Sequence, residues 1–587
     1  MTTRPNVVFI LTDDQGYGDL GCHGNPDIKT PNIDAMHAES ARFTDYHVGT
    51  TCAPTRSGLL TGHYCNSTGV WHTIGGRSLL REDEWTLANA LHENGYRTGH
   101  FGKWHLGDAQ PFRPHERGFE KSIYHGGGGI GNTPDYWGND YFDDTYYVNG
   151  ELKKFDGYCT DVFFREGMAF IEEHKDEPFF CYIATNAPHG PLNVEPRYMN
   201  MYIHDAPDEA KARFYGMVTN IDENVGKLRA KLNELGVAEN TIVVFMTDNG
   251  TCGGFQLGED GFGDDIPFNF NAGMRGKKGW EYEGGHRVPF ILHYPALTGG
   301  DGRDVTALTS YVDFMPTLLD LCGIDVPAER EFHGTSLKPL IEGDPLPELD
   351  ERAIVSDTQR LARPVKWRRS CVMQGSWRLC NGTELYDLSI DPGQQNNSID
   401  DHRDRLPALR DAYEAWWETV SEQFYRDNPF ALGETDEVVK LTTHDLRNES
   451  VQTAWHQGQV RRAVPVSGYW AVDVRKAGSY SIELRRWDKT TGYALTAGID
   501  GDDSGWRKDA IDARQARNYE GGEAIDLKWA RILIGDQTHH ADIDPSSDSV
   551  TFEIDLPLGE AQLYAAFFDK IERTISPYYV YIDRIQG

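Results

Sequence analysis

The sequence of 587 residues predicts an α/β protein whose large mixed, mostly parallel sheet lies between helices. A small α+β subdomain with an antiparallel sheet and a C-terminal β-sandwich are predicted to follow. Long apolar runs that end in polar residues, with helical patterns between them, predict the first region. Alternation of apolar and polar residues after residue 430 predicts the sandwich. We place the domains at 1–345, 346–428 and 429–587.

Four apolar runs in the first region have the character of buried strands, and polar residues follow each of them. Helical patterns such as TLANALHENG (86–95) and the segment 212–236 lie between the runs. Ligands of such sheets bind beyond the carboxyl ends of the strands, so we expect the polar residues to converge. The runs and their polar residues are NVVFILT with Asp13 and Asp14, YRTGHFGKWH with Lys103 and His105, PFFCYIATNAPH with His189, and TIVVFMT with Asp248 and Asn249.

Two of these strand ends together supply an oxygen-rich set of side chains. Taken singly, an aspartate pair after a strand is common in turns and helix caps. Three carboxylates packed together without a cation would repel one another. An all-oxygen set suits Ca²⁺ or Mg²⁺ and is poor for zinc. We therefore predict a site for a hard divalent cation, Ca²⁺ or Mg²⁺, formed by Asp13, Asp14, Asp248 and Asn249.

Charge and composition exclude some partners. The formal net charge of -34 argues against nucleic acid as a partner. No apolar run reaches the length of about 18 residues that a membrane-spanning helix needs, so no membrane partner is expected. Nine cysteines without a CxxC pair, and no leader-like segment before NVVFIL, favour a cytoplasmic protein, or a secreted or periplasmic one if a signal peptide was removed. The oligomeric state stays open.

Cys52 lies in an unusual polar setting, within TTCAPTRSGLLTGHY (50–64). The segment CAPTRSGLLTG (52–62) resembles the sulfatase signature, with Thr55 where serine is usual. Other motifs match the family in order over roughly residues 5 to 420: NVVFILTDDQGYGDLGCHG, TPNIDAMHAESARF, GKWHLG, APHGP, TDNG, GKKGWEYEGGHRVP and ELYDLSIDPGQQNN. On these motifs the chain is identified as a member of the formylglycine-dependent sulfatases of the alkaline phosphatase superfamily, and a carbohydrate sulfatase is expected.

The resemblance implies how the site works. A separate formylglycine-generating enzyme would oxidise Cys52 to formylglycine, whose hydrate attacks sulfur, and Asp13, Asp14, Asp248 and Asn249 would bind the cation. The substrate partner would be a sulfated saccharide. The remaining implied catalytic residues are Arg56 and Lys103, which stabilise the alkoxide, His105, which accepts a proton during sulfate release, and His189 and Lys278, which face the leaving oxygen, with His189 as its proton donor.

A glycine run and the loop after it are predicted to border the pocket. GGGGIG (126–131) fits a dinucleotide motif by letter, but Pro134 and turn formers follow it instead of a helix. Aromatic faces and polar edges suit sugar rings, while a surface loop packed by its own aromatics stays the alternative. An insertion at 260–270 could shape the rim. The predicted substrate-binding residues are Trp71, His72, Asp135, Trp137, Asn139 and Asp140.

The C-terminal region carries alternating strands such as YWAVDVRKAGSYSIELRRW (469–487), with a turn at Ala477 and Gly478. Carbohydrate binding, completion of the active-site rim, oligomerisation and plain packing stay open as its role. Two rivals to a sulfatase also stay open: a phosphonate or phosphate-ester hydrolase of the same superfamily, and a non-catalytic binder of sulfated glycans. A ligand set for one metal disfavours the first rival, and the intact Cys52 disfavours the second.

Overall fold

The computed structural model describes residues 4–253, 270–501, 506–512, 519–571 and 573–585. Most of the insertion predicted at 260–270 therefore lies outside the described residues. Within these ranges, no helix is both long and apolar enough to cross a bilayer. All nine cysteines are free thiols.

A large sheet runs through the first region. The strands of this region are β1 (Asn6–Thr12), β2 (Ala41–Phe43), β3 (Tyr46–His47), β4 (Arg97–Lys103), β5 (Lys121–His125), β6 (Thr145–Val148), β7 (Glu151–Lys154), β8 (Phe179–Ala184), β9 (Thr241–Thr247), β10 (Phe290–His293), β11 (Arg303–Val305) and β12 (Thr309–Ser310). The order in the sheet is β11-β2-β10-β9-β1-β8-β4-β5-β6-β7, while β12 pairs with β3. Strands β9, β1, β8, β4 and β5 are parallel, and antiparallel strands flank them.

Helices cover both faces of this sheet. The α-helices of the described residues are α1 (Pro31–Ala38), α2 (Cys52–Thr61), α3 (Leu87–Glu93), α4 (Cys159–Glu173), α5 (Pro196–Met199), α6 (Glu209–Glu234), α7 (Glu283–His286), α8 (Pro295–Thr298), α9 (Phe314–Leu321), α10 (Lys338–Glu342), α11 (Leu406–Ser421) and α12 (Gln457–Arg461). Val7 and Phe9 of β1 pack on the face covered by α2, α3 and α9, and Val8 and Ile10 on the face covered by α1, α4 and α6. Because both faces are buried, the strands are apolar throughout, and the predicted α/β class is confirmed.

Parallel register places the polar strand ends at one edge. Leu11 of β1 lies beside Ala184 of β8, and Thr12 lies beside Thr247 of β9. Strand β4 follows on the far side of β8, with Gly102 beside Ala184. The residues that follow these strands therefore meet at the carboxyl edge of the sheet, as the sequence predicts.

A small subdomain follows the α/β region. It contains the antiparallel strands β13 (Ala353–Asp357), β14 (Ser370–Gln374), β15 (Trp377–Cys380) and β16 (Glu384–Asp387) in that order. Helix α11 packs on them through Leu409, Tyr413 and Val420, which form a core with Val372 and Leu379. The predicted antiparallel sheet and amphipathic helix are both present.

Two further sheets form the C-terminal sandwich. Its strands are β17 (Phe430–Leu432), β18 (Val439–Thr442), β19 (Trp470–Val474), β20 (Gly478–Arg485), β21 (Leu527–Ile534), β22 (Gln537–Asp542), β23 (Val550–Leu556), β24 (Gly559–Asp569), β25 (Thr574–Ile575) and β26 (Tyr579–Arg584). One sheet has the order β17-β19-β24-β21-β22, with β25 beside β24, and the other has the order β18-β26-β20-β23. Leu79, Ala109 and Phe112 of the α/β region belong to the sandwich core, so the two regions share apolar packing.

Candidate active site

Cys52 is the first residue of helix α2, and its thiol lies at the positive end of the helix dipole. The thiol is only 1% exposed. Its sulfur lies 3.8 Å from Oδ1 of Asp14 and 3.2 Å from Nζ of Lys278. The fold therefore brings the thiol to the edge of the sheet where the aspartates lie.

The aspartates that follow β1 and β9 meet beside Cys52. Potential ligand atoms of Asp13, Asp14, Cys52 and Asp248 all lie within 4.8 Å of one another. Asp14 has φ of 67°, a left-handed conformation that is uncommon outside glycine and indicates a constrained backbone at the site. Asn249 donates from Nδ2 to Oδ1 of Asp14 at 2.9 Å. The four predicted cation ligands thus lie in one cluster.

Three buried cations face these carboxylates. Lys103 Nζ lies 2.5 Å from Oδ2 of Asp13, and Lys278 Nζ lies 2.5 Å from Oδ1 of Asp14. Arg56 donates from Nε and Nη2 to Oδ2 of Asp248, at 3.0 and 2.8 Å. The cations therefore lie close enough to the thiol and carboxylates to act on one bound anion.

Burial and charge shift the acidities of these groups. Burial raises the pKa of Asp14, but the attraction of Lys278 and other cations outweighs it and holds this pKa well below its usual range. Burial, helped by the neighbouring Asp13, raises the pKa of Asp248 to about 6. Burial and Asp13 also raise the pKa of Cys52 to about 12. The unmodified thiol is therefore protonated at neutral pH and is a weak nucleophile.

The donor set fits a hard divalent cation. Oδ1 of Asp13 and Oδ1 of Asn249 are buried and have no hydrogen-bond partner among the described residues. Buried acceptors without a partner are costly, and an ion that coordinates them removes that cost. Asp248, with its raised pKa, adds a carboxylate that a cation would stabilise as the anion. Carboxylate and amide oxygens are the ligands that Ca²⁺ and Mg²⁺ prefer.

Two histidines lie near the site on different elements: His189 contacts the cluster, and His105 lies close to the cations Lys103 and Arg56. His189 Nε2 lies 3.5 Å from Oδ2 of Asp14, and the side chain is 27% exposed, so it lies at the open side of the site. Burial, with Lys278 adding to it and Asp14 opposing it, lowers the pKa of His189 to about 4. His105, which follows β4, is buried and has φ of 64°. Burial and the nearby Lys103 lower its pKa, so this ring is neutral and can accept a proton.

Trp71 and His72 have internal contacts. Trp71 is 1% exposed, donates from Nε1 to the carbonyl of Leu361 and packs on Phe424. His72 Nδ1 accepts hydrogen bonds from the backbone of Thr73 and of Ile74. These contacts hold the chain after α2, and substrate binding by the two residues stays a prediction.

Asp135 and Asn139 organise the loop that follows the glycine run. Asp135 is buried and accepts hydrogen bonds from the backbone of Gly126 and Gly131 and from Asn139 Nδ2. Asn139 also donates to the carbonyl of Thr145 at 2.8 Å. The glycines after β5 run into turns, so the rejection of a dinucleotide site agrees with the structure.

Trp137 and Asp140 lie where this loop meets the sandwich. The guanidinium of Arg461 lies 4.9 Å from the centre of the Trp137 ring, and Trp487 packs against that ring edge-on at 5.7 Å. Asp140 accepts a hydrogen bond from the hydroxyl of Tyr519. Their predicted contact with sugar stays a prediction, and the structure adds a role in joining the two regions.

Sequence reasoning missed two contributors to the site. Cys252 donates from Sγ to Oδ2 of Asp14 at 3.0 Å, and its position shortly after Asn249 was the available signal. The carbonyl of Thr73 accepts a hydrogen bond from Nε2 of His105 at 2.9 Å. No sequence signal marks that contact, because a backbone carbonyl is present at every residue.

Comparison with protein families identifies two matching models. The model described as sulfatase matches residues 5–324, which is more than half of the chain. The model described as N-sulphoglucosamine sulphohydrolase, C-terminal, matches residues 275–406. Both matches end before the sandwich.

Individual relatives agree with these models. An ulvan-active sulfatase from Formosa agariphila is 31% identical over 431 residues, which cover 68% of this chain and 77% of the relative. An N-acetylgalactosamine-6-sulfatase from Homo sapiens is 29% identical over 437 residues, with the same two coverages of 68% and 77%. The crystal structure of Ps i-CgsB in complex with k-i-k-neocarrahexaose is similar with a TM-score of 0.63 and 27% identity, over 73% of this chain and 95% of that chain.

Proposed function

Because this chain belongs to the sulfatase family, we propose that it hydrolyses sulfate monoesters of a saccharide with formylglycine made from Cys52. The observation that carries the proposal is the cluster of Cys52 with Asp13, Asp14 and Asp248 within 4.8 Å. A thiol with a pKa of about 12 is a weak nucleophile at neutral pH. An aldehyde hydrate at the same position would supply an oxygen nucleophile.

The proposal assigns Asp13, Asp14, Asp248 and Asn249 to a divalent cation, with Ca²⁺ proposed and Mg²⁺ as the alternative. When bound, the cation supplies positive charge to a sulfate oxygen, and a hydrated aldehyde at position 52 supplies two oxygens on one carbon. The buried Oδ1 atoms of Asp13 and Asn249, which have no hydrogen-bond partner among the described residues, support this assignment.

Charge balance explains how an acidic protein can accept an anion. Near Cys52, the carboxylates of Asp13, Asp14 and Asp248 are matched by Arg56, Lys103 and Lys278, so three minus three gives zero. A divalent cation would make the site positive by about two charges, which suits a sulfate ester. The surface charge of the protein is farther away and is screened by salt beyond about 8–10 Å.

The two histidines divide the proton transfers in this proposal. His189, at the open side, would donate a proton to the leaving sugar oxygen. Its ring is neutral in the chain alone, and the negative charge of a bound ester favours its protonated form. His105, on the buried side and neutral, would accept a proton during sulfate release. Lys278 would stabilise charge on the leaving oxygen.

A saccharide is proposed as the substrate because the similar proteins are named for saccharides. The relative from Formosa agariphila is an ulvan-active sulfatase, and the human relative is an N-acetylgalactosamine-6-sulfatase. The similar solved structure holds a neocarrahexaose. A formylglycine-generating enzyme would be the partner needed for maturation.

A panel assay tests the proposal. Protein coexpressed with a formylglycine-generating enzyme is incubated with defined sulfated mono- and oligosaccharides and with matched phosphate and phosphonate esters. We expect sulfate release from at least one saccharide, with a kcat/KM well above that for the phosphorus esters. A larger kcat/KM for a phosphorus ester would overturn the sulfatase assignment. Tight binding without turnover, in material with a confirmed aldehyde, would support a glycan binder instead.

A further inference from the structure

His105 is held as one tautomer by a backbone carbonyl. Its Nε2 lies 2.9 Å from the carbonyl oxygen of Thr73, and a carbonyl oxygen can only accept, so Nε2 carries the hydrogen. The other ring nitrogen, Nδ1, is buried and has no hydrogen-bond partner among the described residues. A neutral ring with its hydrogen on Nε2 keeps Nδ1 available as a proton acceptor.

Thr73 belongs to a tight loop at 72–77. His72 Nδ1 accepts from the backbone of Thr73 at 2.6 Å and of Ile74 at 3.2 Å. Gly75 and Gly76 both have positive φ, of 71° and 66°. The loop therefore has its own internal hydrogen bonds at one end and, at the other, two glycines in the left-handed conformation that favours glycine.

The sandwich anchors the glycine end of this loop. The carbonyl of His444 accepts from the backbone of Gly75 at 2.7 Å. Arg447 donates from Nη2 to the carbonyl of Gly76, also at 2.7 Å. A Cβ atom on Gly76 would lie 2.9 Å from the carbonyl oxygen of Asp445, so the two backbones approach closely there. Residues 443–448, which follow β18, thus hold the loop in place.

The same segment lies against His105 directly. The His444 and His105 rings have centres 6.1 Å apart, and His444 is buried. Nδ1 of His444 lies 3.0 Å from Oδ1 of Asp445, and Asp108 lies close to both. The buried polar residues His444 and Asp445 of the sandwich therefore lie next to His105, the proposed proton acceptor.

We propose that the sandwich is part of the catalytic architecture: residues 443–448 position His105 through the carbonyl of Thr73, with Arg447 as a positioning residue. The inference rests on the proposed role of His105 in sulfate release. It assigns the C-terminal region a function in turnover, and it predicts that loosening the loop misplaces the proton acceptor without removing any group that touches substrate.

The test compares two variants of the Arg447 side chain with two matched controls. Arg447→Ala removes the hydrogen bond to Gly76 together with an ion pair to Asp427, whose atoms are 2.6 Å apart. Asp427→Asn weakens the ion pair, and it alters the group that accepts a hydrogen bond from Tyr469 at 3.1 Å, but it leaves the bond from Arg447 to Gly76 in place. Arg475→Ala removes a different ion pair between the regions, with Glu82, together with ion pairs to Glu434 and Asp473 within the sandwich, all away from the loop. Arg447→Lys keeps a donor and a positive charge.

We expect Arg447→Ala to lower kcat by about 10–100-fold, with KM within about threefold, because misplacement of a catalytic group acts on turnover. The lysine variant should recover part of kcat, and both controls should stay within about threefold of wild type. Thermal unfolding checks that each variant is folded. If the alanine variant fails to fold, Arg447→Met, which keeps the aliphatic stem, is measured in its place.

A folded Arg447 variant with unchanged kcat would overturn the inference. Equal losses in Arg447→Ala and Arg475→Ala would also overturn it, since they would indicate general destabilisation of the sandwich. These results differ from failure of the proposed function, in which the wild-type protein itself releases no sulfate.

Discussion

Buried carboxylates occur in two settings in this molecule, and their partners distinguish them. Asp135 accepts from two backbone amides and an asparagine, and Asp357 accepts from Gln359 at 2.9 Å and Tyr413 at 2.9 Å. Near Cys52, by contrast, Asp13 has a buried oxygen with no hydrogen-bond partner among the described residues, and the cations Arg56 and Lys103 face the carboxylate. A buried carboxylate whose oxygens are satisfied by the fold holds loops together. A buried carboxylate that keeps an oxygen without a hydrogen bond, and that lies beside another carboxylate, is suited to bind a cation.

The largest expected effect is that of Cys52→Ala, which removes the side chain from which the nucleophile is made. We expect kcat to fall by at least about 10⁴-fold, the scale seen when a hydrolase loses its nucleophile. The unfolding midpoint should move by only a few degrees. Released sulfate and thermal unfolding measure the two effects. Residual activity above about one hundredth of wild type would contradict the assignment of the nucleophile.

Removal of divalent cations from the protein should affect the carboxylates near Cys52 and not those that hold loops together. A chelator should lower the activity by about 100-fold or more, and added Ca²⁺ should restore it. At about 100 times its Kd, the cation should stabilise the folded wild type by about 2.7 kcal/mol.

The matched variants for the cation experiment are Asp248→Ala and Asp135→Asn. The first should abolish the rise of the unfolding midpoint with Ca²⁺, and the second should leave that rise intact, even if it lowers the midpoint itself. If both variants lost the rise of the unfolding midpoint with Ca²⁺ equally, the cation could not be assigned to the carboxylates near Cys52.

The pH dependence of stability tests the structural carboxylates. Burial raises the pKa of Asp357 to about 7, so the folded chain holds this proton more tightly than the unfolded chain does. Its contribution to stability is therefore greatest at low pH and is lost as pH rises from the unfolded pKa through the folded one. An asparagine does not titrate, so Asp357→Asn does not lose this contribution as the pH rises. The unfolding free energy of the variant minus that of wild type should therefore increase by about 2–3 kcal/mol from pH 5 to pH 8.

Denaturant unfolding at several pH values provides the measurement for Asp357. Parallel stability curves for wild type and Asp357→Asn would show that the carboxyl titrates with an ordinary pKa. Asp248→Asn is not a suitable control, because that residue is assigned to the cation.

The smallest expected effect is on substrate affinity, from Trp137→Ala. Since the ring is packed between Arg461 and Trp487, we expect a loss of about 1–3 kcal/mol in stability and a KM within about twofold of wild type. Steady-state kinetics on a cleaved saccharide and thermal unfolding check both. A KM raised about tenfold would instead support the sugar-binding role that the sequence predicts for this residue.

Much of the site could be predicted because its residues directly follow strands. Asp13, Asp248 and Lys103 end or follow apolar runs, and parallel pairing brings such positions to one edge. The choice of Lys278 came from resemblance, and its contact with Cys52 agrees with it. The local sequence pattern was enough to place Asp13, Asp248 and Lys103, because each lies at or just after the end of a strand.

Contacts between distant segments could not be predicted in this way. Strands β19 and β20 flank the predicted turn, but they belong to different sheets and face each other across the core. Alternation of apolar residues defines a buried face without naming the strand that pairs beside it. For the same reason, nothing in the sequence linked Arg447 to the loop of Thr73. The residue pattern of the aromatic loop after the glycine run is the same whether its rings contact a sugar or pack on another domain, so the sequence could not distinguish the two roles.

Turnover should depend on the chemical state of the side chain at position 52, and this dependence can be measured. Preparations with different fractions of aldehyde at position 52, measured by mass spectrometry of the peptide, are assayed for sulfate release with Ca²⁺ present. We expect the rate to rise in proportion to the aldehyde fraction and to extrapolate to zero for the pure thiol. A rate that is the same for thiol and aldehyde material would contradict it.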